Sequence, residues 1–224
     1  MEKAMIDLAL WPVLTASDYL VFFVTLFTLF SPPAAIAAFA TITDRFPPDI
    51  QKKVAKRLAR NYFVVMLVSI IIGEYLLMVL GISTPALMLT GGLAVFIAGM
   101  PMMIYGQKLQ FVKHEDEFQA VPRADWESVV SVPMTFPMTV GGATIAVAIS
   151  TAHQTTALMD YAFLILVVAA MALIVYAVTL TASALSRRLG GSIDILVRAS
   201  GIIIVAISIQ ILVSGLFGLV EIYG

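Results

Sequence analysis

Residues 25–43 read "TLFTLFSPPAAIAAFATIT", and this stretch decides how the chain is understood. It belongs to a run of 25 residues, 19–43, that carries no charge. About 20 apolar residues in a helix cross the roughly 30 Å hydrocarbon layer of a bilayer. Yet Pro32 and Pro33 stand side by side near the middle of the run. A proline inside a helix removes a backbone donor and collides with the preceding turn, at a cost of about 3 kcal/mol. The backbone groups freed by such a break cannot face lipid. They must be buried in protein or line a wet cavity.

The rest of the chain supports a membrane setting. Of 224 residues, 61% are hydrophobic and 12% charged, where a soluble domain has about 25% charged residues. Mean hydropathy is +1.01. Further uncharged runs of 26 and 22 residues cover 161–186 and 199–220. The expected architecture is an all-α membrane protein forming one domain over 1–224. It has six transmembrane helices, at about 19–43, 61–80, 87–105, 129–151, 161–186 and 199–220. The N-terminal "MEKAMIDLALWPVL" is a poor signal peptide, because Asp7 interrupts it and no cleavage pattern follows. Trp11 and Pro12 suit a segment lying at the interface, with a seventh span as the alternative.

Charge then orients the spans. The loops after spans 1, 3 and 5 hold Arg45, Lys52, Lys53, Lys56, Arg57, Arg60, Lys108, Lys113, Arg123, Arg187, Arg188 and Arg198, while the opposite side holds Lys3 alone. By the positive-inside rule, loops 44–60, 106–128 and 187–198 face the cytoplasm and both termini lie outside. The run "PPDIQKKVAKRLAR" should extend span 2 into the cytoplasm as a helix, its charges forming a solvated or headgroup-facing surface. No nucleic-acid site is expected.

Comparing the two halves gives a recurring offset of 109: "PAAIAAFATIT" lies over "GATIAVAISTA", "LGIS" over "LGGS", Gly92 over Gly201 and Gly106 over Gly215. Repeat one is expected at about 18–106, a cytoplasmic linker at about 107–128, and repeat two at about 129–222. Three spans per half is an odd number, so the second copy enters the membrane inverted. Inverted repeats with discontinuous helices at mid-membrane are a recurring plan of secondary transporters. The counterpart of the first break is "SVPMTFPMTVGGATI", 131–145, interrupted by Pro133, Pro137, Gly141 and Gly142. The expected fold is therefore two inverted three-helix repeats with helices 1 and 4 broken. The competing reading is two kinked helices without a ligand.

Each break begins a half-helix whose first amides lack partners and carry the positive end of the dipole. A carboxylate is the natural guest. The expected donors are Ala34, Ala35 and Ile36 in the first half, behind Pro32 and Pro33, and Gly142, Ala143 and Thr144 in the second, behind Gly141. Carbonyls near Ser31 and Val140 could receive an ammonium group, and Ser31, Thr139 and Thr144 add hydroxyls. Small walls and no mid-membrane ion leave no partner for a charged substrate side chain, so a small zwitterion such as a neutral amino acid fits. Another small polar solute remains the alternative. Gln210 in span 6 could bond a substrate, or a neighbouring helix. Glu74, the acid inside span 2, is either a proton relay or a carboxylate with outer water access. No cysteine, HExxH or GxSxG element is present, so neither a metal site, a cofactor nor an enzymatic activity is expected.

The sequence resembles the MarC family of integral membrane proteins over about 19–218. The resemblance is carried by "SPPAAIAAF", "GGLAVFIAGMPMM", "VPMTFPMTVGGATIAVAIS" and "GIIIVAISIQILVSG". It implies transport of small neutral amino acids of the glycine and alanine class, by alternating access. The chain departs from the family pattern at several places. Ser31, Pro32, Pro33 and Ala34 stand where the family has Asn-Pro-x-Gly, Ala37 where it has a further proline, Gly141, Gly142 and Ala143 where it has Gly-Pro-Gly, and Pro101 where it often has a polar residue. Two other readings follow from the residues: a passive channel for a small polar solute, and a non-transporting scaffold or regulator working through its basic loops.

Overall fold

The first helix opens at Thr15, whose amide donates to the Asp18 carboxylate at 2.7 Å. That closes the first turn of α1 (Ala16–Phe30). The helix stops at Ser31, which takes the left-handed conformation, φ 47° and ψ 78°. α2 (Pro32–Thr43) starts at the next residue, so the first span is two half-helices meeting at one serine. The computed structural model describes residues 13–43, 46–106, 127, 130, 134–135, 139–155 and 157–224. The N-terminal segment 1–12, nearly all of the linker, His114, Pro133 and Pro137 lie outside the described residues.

Among the described residues every regular element is helical. α3 (Pro48–Leu80) runs 33 residues with Pro48 in its first turn, roughly 50 Å at 1.5 Å per residue. It is one continuous rod, as expected from its prolines and helix-forming basic segment. Gly81 in the left-handed region ends it. α4 (Thr84–Tyr105) is capped by Ser83, whose Oγ accepts from the Ala86 amide. α5 (Gly142–His153) is a short helix of 12 residues. α6 (Leu158–Leu189) and α7 (Ser192–Tyr223) each have 32 residues. Both exceed the expected 161–186 and 199–220. Arg187 and Arg188 sit in the last turn of α6, where cations complement the dipole, and only Gly190 and Gly191 separate the two helices.

Five helical stretches among the described residues are long and apolar enough to cross a membrane: Ala16–Ala40, Pro48–Leu80, Thr84–Tyr105, Leu158–Leu189 and Ser192–Ile222. The expected fourth span, 129–151, is described only in part, and α5 is its C-terminal piece. The outer faces are strongly apolar. Ile71, Leu76, Ile97, Leu173, Ile202 and Phe217 are all exposed. A water-soluble molecule rarely carries so much contiguous apolar surface, whereas lipid is its natural solvent.

Two apolar clusters organise the interior. The larger joins α1, α2, α3 and α6 through Leu26, Phe39, Leu58, Met66, Val168 and Met171. The smaller joins α2, α4 and α7 through Ala34, Ala37, Met102, Val197 and Ile204. α4 and α7 pack most closely of all, antiparallel along their length. A Cβ on Gly201 would meet the backbone of Met102 and Met103, so only glycine lets these two helices approach backbone to backbone. At one end of the pair Arg198 of α7 caps the last turn of α4. It donates to the Ile104 and Tyr105 carbonyls at 2.7 and 3.3 Å while bonding Asp194 at 2.9 Å.

At the opposite end of the bundle, Asp160 at the start of α6 is fully buried. Its carboxylate accepts from the Val13 amide at 2.9 Å and the Leu14 amide at 3.3 Å. It also accepts from the hydroxyls of Tyr19 and Thr155. One carboxylate thereby ties the start of α1 to the α5–α6 turn.

Candidate functional site

The two breaks face each other. A cavity of about 300 Å³ is lined by Ser31, Ala34 and Ala35 from the first and by Thr139, Gly141, Gly142 and Thr144 from the second. Drug-sized pockets run about 300–1,000 Å³, so this one suits a small guest. None of its lining residues is charged, and the polar side chains are Ser31, Thr139 and Thr144. Phe30 and Phe39 also border it, their rings 6.5 Å apart on either side of the first break.

The first break is poorer in donors than the sequence suggests. The Ser31 amide is bonded to the carbonyls of Phe27 and Thr28 at 3.1 and 3.0 Å, and the Ala35 amide donates to the Ser31 carbonyl at 2.9 Å. Ala35 and Ile36 therefore lie past the first intrahelical bond, and their amides are not available to a ligand. Pro32 and Pro33 have no N–H. Ala34 alone keeps an unclaimed amide ahead of that bond. This corrects the expectation of three donors there. The cause is the position of the cap: with Ser31 as the hinge, the two prolines occupy the first two helical positions.

The second break keeps its donors. Gly141 is extended, φ −96° and ψ 171°, and α5 starts after it. The first bond closing that turn runs from the Ile145 amide to the Gly141 carbonyl at 3.2 Å. The amides of Gly142, Ala143 and Thr144 precede it and lack an intrahelical acceptor. Ahead of the break, the Val140 amide donates to the Thr135 carbonyl at 2.9 Å, and Thr139 Oγ1 donates to the Met134 carbonyl at 2.6 Å. α4 presses on the first turn of α5. A Cβ on Gly91 would lie 2.7 Å from Ala143 Cα, while a Cβ on Gly142 would meet only Gly91 Cα, at 3.7 Å.

Ser31 is the residue whose state stands out. It is buried, it lines the cavity, and its Oγ has no hydrogen-bond partner among the described residues. Its left-handed backbone costs about 1–3 kcal/mol for a residue with a Cβ, and the orphaned hydroxyl adds about 1–3 kcal/mol.

The remaining expected site residues are placed elsewhere. Pro32 and Pro33 shape the first break without lining the cavity, and Val140 and Ala143 are buried beside the second without lining it. Gln210 lies on the exposed face of α7. The cavity-facing residue of that helix is Ile204, and six residues at about 100° each turn Gln210 away from it. The expectation that Gln210 contacts substrate is thereby corrected. Glu74 is also away from the cavity lining. It bonds His153 at 2.5 Å, with both side chains more than half exposed, at the ends of α3 and α5.

Sequence reasoning missed one wall entirely. Ala94, Val95, Ala98, Gly99 and Met102 of α4 line the cavity. Their signal was the four-residue spacing of Ala94, Ala98 and Met102, which places them on one helix face.

Comparison with known proteins agrees with this membrane architecture. The family described as MarC family integral membrane protein matches residues 16–220. A UPF0056 membrane protein of Methanocaldococcus jannaschii is 26% identical over 201 residues, covering 89% of this chain and 96% of the relative. One of Archaeoglobus fulgidus is 27% identical over 198 residues, covering 87% and 90%. The UPF0056 inner membrane protein MarC of Escherichia coli is 25% identical over 211 residues, covering 89% and 94%. No solved structure matches the chain.

Proposed function

We propose that this chain, which belongs to the MarC family of integral membrane proteins, is a secondary transporter of small neutral amino acids of the glycine and alanine class. The observation that carries the reading is the meeting of two helix breaks on one small uncharged cavity. Unpaired peptide groups there can hold a carboxylate and an ammonium, and no ion is present to pair with a charged substrate side chain. The substrate-binding set is Ser31, Ala34, Thr139, Gly141, Gly142 and Thr144.

Element lengths support an inverted repeat. α2 and α5 have 12 residues each, α3 and α6 have 33 and 32, and the two sets follow in the same order. The distribution of basic residues supports both termini outside and loops 44–60, 106–128 and 187–198 in the cytoplasm. A place in the cell membrane is supported by the Escherichia coli relative, whose name makes that protein an inner membrane protein.

Alternating access requires two bodies to move past each other. Whole sequence halves are poor candidates. α4 of the first half pairs with α7 of the second, and α3 with α6, so rocking the halves would break the most extensive interfaces. The α4–α7 pair moves as one body against the remaining helices, sliding over the two breaks. Glu74 is not the proton carrier in this scheme, because it lies outside the cavity.

The test is uptake of labelled glycine and alanine by proteoliposomes, with and without a pH gradient. Saturable uptake with counterflow is expected. Non-saturable flux without counterflow would make the protein a passive channel. No flux from folded, reconstituted protein would leave the scaffold reading.

A further inference from the structure

The two breaks are not equivalent, and their difference has a consequence for the ligand. At the first, Pro32 takes away the helical donor for the Thr28 carbonyl and Pro33 the one for Leu29, four residues back in each case. Thr28 recovers the Ser31 amide as a partner. Leu29 and Phe30 end α1 beside the cavity, and no amide among the described residues donates to their carbonyls. One free amide, that of Ala34, stands against these acceptors and the buried, unpartnered Ser31 Oγ. At the second break three amides precede the first intrahelical bond of a 12-residue helix. The first break offers mainly acceptors and the second mainly donors.

We propose that the cavity takes a zwitterion in one orientation only. Its carboxylate sits on the first turn of α5, at Gly142 and Thr144, and its ammonium at the end of α1, with Ser31 Oγ as the residue that fixes the ammonium end. The inference rests on the amino-acid reading given above and adds a direction and a specificity residue to it. The ammonium gives a hydrogen bond to a hydroxyl that has no partner among the described residues. The prolines thereby keep a carboxylate away from the first break as well as interrupting the span.

The test compares Gly142→Pro with Gly142→Ala. Proline suits the first helical position, and the extended Gly141 suits the residue before it. The two variants therefore share a backbone and differ by one N–H. Glycine affinity, measured by titration of purified protein in nanodiscs, should fall about tenfold or more in the proline variant relative to the alanine variant, the effect of losing one hydrogen bond to a charged group. Ser31→Ala should weaken glycine binding by a similar factor while raising the thermal midpoint of the empty protein, whereas a residue with a purely structural role would lower it. Solid-state NMR on the wild-type protein with doubly labelled glycine gives the orientation directly. The carboxyl carbon should lie within about 4 Å of the Gly142 or Thr144 nitrogen, and the ammonium nitrogen next to the Leu29 or Phe30 carbonyl carbon. Equal affinities for the Gly142 pair, or the reverse NMR contacts, would overturn the orientation while leaving the transporter reading in place. Wild-type protein that binds no glycine would overturn both.

Discussion

Ser31 concentrates the cost of the first break in one residue. Its left-handed backbone is open to glycine and strained for a side chain with a Cβ. Ser31→Gly should therefore melt higher than Ser31→Ala, by about 1 kcal/mol in thermal unfolding in detergent. Equal melting would mean that the hinge stores no strain. Asp160 is the opposite case, a buried carboxylate with all its donors in place. Removing it as Asp160→Ala leaves two backbone amides and two hydroxyls stranded. A loss of about 3–5 kcal/mol is expected, read as a lowered thermal midpoint and faster proteolysis near residues 13–19.

At the scale of elements, α4 is the wall on which the site depends. It touches the first turn of α5 at Gly91 with no room for a methyl group. Gly91→Ala should destabilise the protein by about 1–3 kcal/mol through overpacking, while Gly142→Ala, whose Cβ has ordinary contact distance, should fold normally. If both variants behave alike in size-exclusion and melting assays, the close approach is not constraining. The absence of cysteine permits a cleaner probe of the same wall. Ala98→Cys should react with a small maleimide, lose uptake on modification, and be protected by saturating glycine.

For the whole molecule, orientation in the bilayer is the property that charge must settle. A lone cysteine in place of Gly224 should be labelled on intact cells by a membrane-impermeant maleimide, and one in place of Lys52 should not. The opposite pattern would invert the assignment of sides. The α4–α7 pair should also behave as one unit. It is closed by glycine contacts along its length and by Arg198 at one end, so amides of both helices should exchange with solvent together and more slowly than those of the first turn of α5.

The sequence by itself determined the class of protein and the places where two helices break, because hydrophobic length and the missing N–H of proline are properties of a residue and its chain neighbours. It also pointed to Ser31, Gly141 and Gly142. It did not reveal that α4 forms a wall, that Gln210 faces outward, or that Ser31 Oγ lacks a partner. Those facts depend on the rotation of each helix about its axis and on how closely its neighbours approach. The number of donors left at the first break turned on a single backbone angle at Ser31, which moved the cap one residue ahead of the prolines. Only packing decided that angle, since α2, α4 and α7 share one apolar cluster and hold the half-helix where the serine must bend to reach it.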